Sequence, residues 1–400
     1  MEHARPRTRT VGYLTVGGLA VAGTLVGQLG ATSATTYASG DNGGLMTGLF
    51  LALMLACAGT VSAWVGPIAA RWGSLRVFAW AQVGVAVSWS IVGVIEVVTD
   101  SSLVLLLLAA PIFGVLSGLT MILTPFVTRS YVDPSSMTSS LARRGVVSGI
   151  AAMIGASIGG FLIHATDPGI GILANGLLTI PLAVFTLTCT PLAAPKPVQS
   201  HPRPMRYLAA TLRTNEQLRR LALLVIAFTF LVVPMLSLIV PILNDIDHAP
   251  LPSGAGLVFA GIAAGRLLVP YLIRRVQQGR DAFAAALWAA IWATGFMIAF
   301  AISATLPLSA FDLVVWTAIG VGIGASRFTF RPLVMDAGAK AGADGDEMSG
   351  VAALVTVGTL VSPFGMLMWG FLVDAVTAPV TIAACAVAMI AVAAAFARRR

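Results

Sequence analysis

The sequence predicts an all-α integral membrane protein with twelve transmembrane helices in two pseudo-symmetric six-helix bundles. Three observations predict it. First, the 400 residues are 58% hydrophobic and only 10% charged, whereas soluble domains carry about 25% charged residues. With a mean hydropathy of +0.91, such a chain cannot cover a water-facing surface with polar groups. Second, twelve apolar runs reach the ~20 residues that a helix needs to cross the hydrocarbon core. They are 11–30, 45–68, 77–97, 103–127, 145–165, 169–190, 221–243, 253–273, 283–303, 309–332, 349–373 and 377–397. Third, the basic residues outside these runs all fall in alternate loops.

Each run should be helical, because backbone groups in lipid must be satisfied within their own segment. The closed β-barrel alternative requires ~10-residue segments of alternating polarity, and none is present. Twelve crossings put Arg5, Arg7, Arg9, Arg71, Arg76, Arg129, Arg143, Arg144, Lys196, Arg203, Arg206, Arg213, Arg219, Arg220, Arg274, Arg275, Arg280, Lys340 and Arg398 to Arg400 on one side. The opposite loops hold Asp41, Asp100, Asp167, Asp245, Asp247 and Asp374 instead. The positive-inside rule then places both termini in the cytoplasm, in a multi-pass protein of a plasma (inner) membrane. The same distribution accounts for the net charge of +8 without nucleic acid as a partner. The N-terminus resembles a cleaved signal peptide, with ATSATTYA after the first run. Cleavage would leave an odd number of spans and break the charge rule, so the first span is read as retained.

The longest polar stretch, Ala193 to Arg220, is Pro-rich and then basic and amphipathic. It reads as a cytoplasmic linker ending in a surface helix, separating residues 1–192 from residues 221–400. The two halves echo each other. Gly155, Gly160, Phe161, Leu162 and Ala165 in the fifth span match Gly365, Gly370, Phe371, Leu372 and Ala375 in the eleventh at a constant offset. Pro67 and Arg71 match Pro270 and Arg274 in the same way. Repeated six-helix halves with a site at mid-membrane are a transporter plan.

The stretch GPIAARWGSLR between the second and third spans is the most specific motif. With the twelve spans and the long central loop, it resembles the major facilitator superfamily over nearly the whole chain. Gly66, Arg71, Gly73 and Arg76 match that family's loop motif, which the resemblance implies is part of a conformational gate. Ala70 stands where the family has an acid, so the implied charge network is weakened or rebuilt. Gly155, Gly159 and Gly160 fit an export-associated motif in the fifth span, with Ala156 where Pro is usual. Ordinary glycine packing explains them equally well, and Pro363 and Gly365 stand comparably in the eleventh span.

Three cations lie inside spans. Arg266 is eight residues, or ~12 Å, from Arg274, too deep for easy snorkelling. Arg327 is similarly deep, and Arg331 lies one turn further out. An ionisable residue inside the membrane is a candidate functional site. The resemblance implies that the eighth and tenth spans border the central cavity, so Arg266 and Arg327 are read as one positive site for a carboxylate or phosphate, which guanidinium forks suit. The alternatives are bonds to backbone carbonyls, or pairing of Arg331 with Asp336 or with Asp344, Asp346 and Glu347. Gln28, Thr120, Thr124, Thr229 and Ser237 are further candidates for a substrate cavity, and Pro234 and Pro241 should distort the seventh span. Acids are scarce. Asp312 is the candidate for proton coupling, against a solvated interfacial role, and Glu96 also lies near the outer end of its span.

No phosphate-binding loop, HExxH, CxxC or dinucleotide pattern occurs, and Cys57, Cys189 and Cys385 are isolated. An enzyme is therefore not expected, nor a metal or other cofactor. The expectation is a monomeric secondary transporter working by alternating access, with a small neutral or anionic organic compound exported against protons. Uptake or exchange of an organic anion is the alternative, and a non-transporting sensor or assembly partner a second one.

Overall fold

The computed structural model describes residues 6–62, 64–99, 102–132, 137–192, 212–213, 215–246, 253–278, 281–306, 311–341 and 347–398. Among them the chain is helical without a strand, and twelve helices are long and apolar enough to cross a membrane. The linker from 193 to 211 lies outside the described residues, as do Arg5, Asp100, Asp247, Arg280, Asp344, Asp346, Arg399 and Arg400.

The helices group into two units. The first comprises Met1–Ala38 and Leu53–His201, the second Ser39–Ala52 and Pro202–Arg400. In chain order the first unit holds α1 (Pro6–Ala38), the C-terminal half of α2 (Gly43–Ser62), α3 (Val65–Trp72), α4 (Ser74–Thr99), α5 (Leu103–Tyr131), α6 (Met137–Ala165) and α7 (Pro168–Thr188). Helix α1 runs eight residues beyond the predicted span, through the Thr-rich segment. The hydroxyls of Thr32, Thr35 and Thr36 donate to the carbonyls of Gln28, Ala31 and Thr32 at 2.8, 2.6 and 2.7 Å. With their polar groups satisfied inside the helix, these residues bury fully.

The second predicted span, by contrast, stops early. Pro67 cannot donate the backbone bond that a continuing helix needs. The apolar run therefore divides into α2 and the short amphipathic α3, and Gly66 lies in the first turn of α3 instead of ending the span. Gly73 then joins α3 to α4 at φ 87°, a left-handed value that favours glycine. Its N–H donates to Ala69 O (2.9 Å), and its carbonyl accepts from Val77 N–H (3.0 Å).

The second unit holds the N-terminal half of α2, then α8 (Glu216–Leu231) and α9 (Val233–Ser237), which together form the seventh span, and α10 (Ile239–Asn244). Next come α11 (Ser253–Gly265), a 3-10 turn (Arg266–Leu268), α12 (Val269–Gln277), α13 (Ala282–Thr305), α14 (Asp312–Ala341), α15 (Glu347–Ala375) and α16 (Ala378–Arg398). Asn215 caps α8, accepting from Leu218 N–H at 2.9 Å, so the helix begins inside the segment read as linker. Pro234 breaks the seventh span as expected. The carbonyl of Phe230, whose helical partner would be the absent Pro234 N–H, accepts from Trp369 Nε1 at 3.2 Å. Trp369→Phe removes that donor and should cost about 1 kcal/mol. Thermal unfolding in detergent checks this; an unchanged Tm would show that the carbonyl finds another donor.

The N-terminal half of α2 belongs to the second unit because of α15. Gly44 and Gly48 pack on the α15 backbone at Gly370 and Met366. Asp374 accepts from the N–H groups of Gly44 (2.8 Å) and Leu45 (2.7 Å), two of the amides that a helix start leaves unpaired.

Glycine crossings build both units in parallel. In the first, Gly114 and Gly118 of α5 pack against the α2 backbone at Met54 and Ala58. In the second, Gly320 and Gly324 of α14 pack against Val258 and Ile262 of α11. Likewise Gly155 lies on Ala22 of α1, and Gly365 on Thr229 and Phe230 of α8.

Candidate functional site

The α11–α14 crossing is doubly interlocked. Gly261 and Gly265 face Thr317 and Val321 of α14, while Gly324 faces Ile262 of α11. Both helices carry small residues four apart, a pattern that lets backbones touch. Directly after Gly265, Pro270 removes the N–H that would bond the carbonyl of Arg266. Val269 N–H takes that carbonyl instead, which tightens Arg266–Leu268 into a 3-10 turn. The turn follows directly on Gly265, whose Cα lies against Val321 and Ala325 of α14.

Arg327 stands three residues beyond Gly324, midway along the 30-residue α14. The guanidiniums of Arg266 and Arg327 lie 4.9 and 5.9 Å from the centre of the Phe328 ring. Arg331, one turn on, adds like charge. Among the described residues Arg327 forms no hydrogen bond or ion pair. Asp336 is occupied elsewhere, by Lys340 (2.8 Å) and Gln277 (3.5 Å). Two cations over one aromatic ring gain cation–π attraction but repel each other, and an anion between them would relieve that repulsion. Phe330, about 200° around α14 from Phe328, stacks instead on Phe228 of α8, with centroids 3.9 Å apart.

The remaining candidates are dispersed. Thr229 is buried on α8 under Gly358 and Gly365. Gln28 is half-buried on α1, and Thr120 donates to Ser117 O at 3.0 Å within α5. Asp312 is buried in the first turn of α14, fifteen positions and about 22 Å from Arg327. Glu96 is 1% exposed, and neither carboxylate oxygen has a hydrogen-bond partner. In the loop motif Gly66 is buried, whereas Arg71, Gly73 and Arg76 are exposed. Gly159 packs on Val26 of α1, Gly160 is buried on α6, and Pro363 lies inside α15. The signal missed in the sequence was the pair of Gly-xxx-Gly repeats at 261/265 and 320/324, which mark where the two arginine-bearing helices meet.

The family profile of the Major Facilitator Superfamily matches residues 10–356. The chain belongs to the Major Facilitator Superfamily. Solved structures agree on the fold. The nucleoside transporter NupG is similar at TM-score 0.73 and 14% identity, covering 98% of each chain. A bacterial homologue of the human lysosomal transporter Spinster, inward-facing and occupied, gives TM-score 0.72 and 14% identity over 98% of this chain and 96% of its own. The human organic anion transporter MFSD10 (TETRAN) gives 0.62 and 16%, over 98% and 99%. No curated protein matches the sequence. Within this superfamily fold, Arg266 and Arg327 bring two cations of the described spans to one aromatic ring.

Proposed function

We propose that the protein is a secondary transporter of a small organic anion, moved by alternating access of its two six-helix halves in the plasma membrane. One observation carries this reading: Arg327 lies mid-helix with no acidic partner among the described residues, beside Arg266 on a shared aromatic ring. An unneutralised cation at that depth is costly, and a bound carboxylate or phosphate offsets the cost. The composition alone allowed a neutral compound as well; the arginine pair favours the anion.

Export in exchange for protons is the direction we infer. Two features support it: the glycine-rich fifth span and a buried acid, Asp312, well separated from the arginines. The test uses purified protein. A panel of small carboxylates, phosphate monoesters and neutral sugars is screened by thermal shift, where ligand at 100 times its Kd adds ~2.7 kcal/mol. Stabilising compounds are then followed in liposomes under an imposed pH gradient. The expected result is that anions alone stabilise the protein and that the gradient drives their accumulation. Asp312→Asn should keep counterflow and lose gradient-driven transport. Stabilisation by neutral compounds only would reject the anion site. Binding without flux in any direction would reject transport and leave a sensor.

A further inference from the structure

A second cationic site lies in the first unit, away from the arginine pair. Helix α3, the Gly73 turn and the start of α4 form, with α5, a groove of about 760 Å³. Arg71 and Arg76 line it with Trp72, Trp80, Leu116 and Leu119. Both arginines are exposed and form no hydrogen bond or ion pair among the described residues. Ala70 beside them provides no acid. Trp72 and Trp80 are each 64% exposed, a large apolar area to leave uncovered, and Trp80 sits one helical turn beyond Arg76 on the same face of α4. Leu116 and Leu119 of α5 make the inner wall apolar.

This loop joins two membrane spans, so the groove opens at the membrane surface, where tryptophans anchor in the headgroup layer. Two cations at its mouth and an apolar wall running into the hydrocarbon match the two parts of one molecule. We propose that this groove binds an anionic phospholipid of the surrounding leaflet. Its phosphate would lie between Arg71 and Arg76, and its acyl chain along Trp80, Leu116 and Leu119. A free phosphate would use only the mouth and leave the tryptophans bare, whereas a zwitterionic lipid brings a cation towards the two arginines.

The test is native mass spectrometry of the full-length protein in detergent with graded dioleoyl-phosphatidylglycerol, dioleoyl-phosphatidylcholine of the same chains, or glycerol 3-phosphate. Wild type should retain phosphatidylglycerol at least 10-fold more tightly than phosphatidylcholine and should not retain glycerol 3-phosphate. Arg71→Ala/Arg76→Ala should weaken phosphatidylglycerol about 30-fold, the loss expected for two juxtamembrane cations. Arg71→Lys/Arg76→Lys should restore most of it, which separates lost charge from a damaged fold. Trp72→Ala/Trp80→Ala should weaken both lipids together. Equal retention of the two lipids by wild type would overturn the proposal. So would undiminished phosphatidylglycerol binding by the alanine variant, or glycerol 3-phosphate binding as tightly as the lipid.

Discussion

Arg327→Ala is expected to weaken organic-anion binding by about 30- to 100-fold, the loss of one or two charge-assisted hydrogen bonds at ~2–3 kcal/mol. The same substitution should raise the Tm of the ligand-free protein. The two signs follow from one cause. Arg327 sits mid-helix with like charges from Arg266 and Arg331 nearby, and among the described residues it forms no ion pair of its own. Removing it relieves desolvation and repulsion in the empty protein while deleting the ligand's partner. A guanidinium with a purely structural task behaves in the opposite way, because truncation would orphan its acceptors and lower Tm. Arg327→Lys keeps the charge but loses the planar fork, so binding should fall by about 10-fold and Tm should change little. Titration calorimetry with the best anion of the screen, beside ligand-free unfolding, reads both quantities. A lowered Tm with unchanged affinity would remove Arg327 from the site.

Arg266 and Arg327 were legible in the sequence because each breaks a rule: a cation inside an apolar run needs a reason. Their meeting in one positive site was expected from the family resemblance and not from hydropathy. Hydropathy locates a charge along a helix axis but not around it, and 46 residues separate the two helices between Gly265 and Asp312. Phe328, the ring they share, looks like any core aromatic when read alone. Gly261, Gly265, Gly320 and Gly324 were in view, but 41 glycines hide four that interlock. Thr120 shows the opposite failure. A hydroxyl in a span reads as cavity lining, yet its bond to Ser117 O is the back-bonding that any helix offers. The Thr-rich end of α1 misled for the same reason, since those hydroxyls are satisfied by their own helix. Proline was a guide only in places. Pro234 announced the break in the seventh span, where Trp369 takes the carbonyl that its missing N–H frees, whereas Pro111, Pro125, Pro181, Pro332 and Pro363 sit inside unbroken helices.

The glycine crossing yields the sharpest separation of site from scaffold. A Cβ on Gly324 would meet the backbone of Ile262, and one on Gly265 the backbone of Val321 and Ala325. Main chain cannot rotate away as a side chain can, so Gly324→Val must push α11 and α14 apart. We expect a loss of about 3 kcal/mol in stability and, in the protein that remains folded, loss of anion binding although both arginines are intact. Gly114→Val makes the equivalent substitution in the first unit, where a Cβ would meet the backbone of Met54. It should lower Tm comparably and leave anion affinity unchanged, because no arginine pair is built on that crossing. Gly295 of α13 has nothing within 4 Å of its Cβ position, so Gly295→Ala should leave both readouts within error or raise Tm slightly. If Gly114→Val and Gly324→Val impaired binding equally, the anion site would not depend on the α11–α14 crossing. If Gly324→Val bound anion normally, the close approach of these two helices would be packing alone.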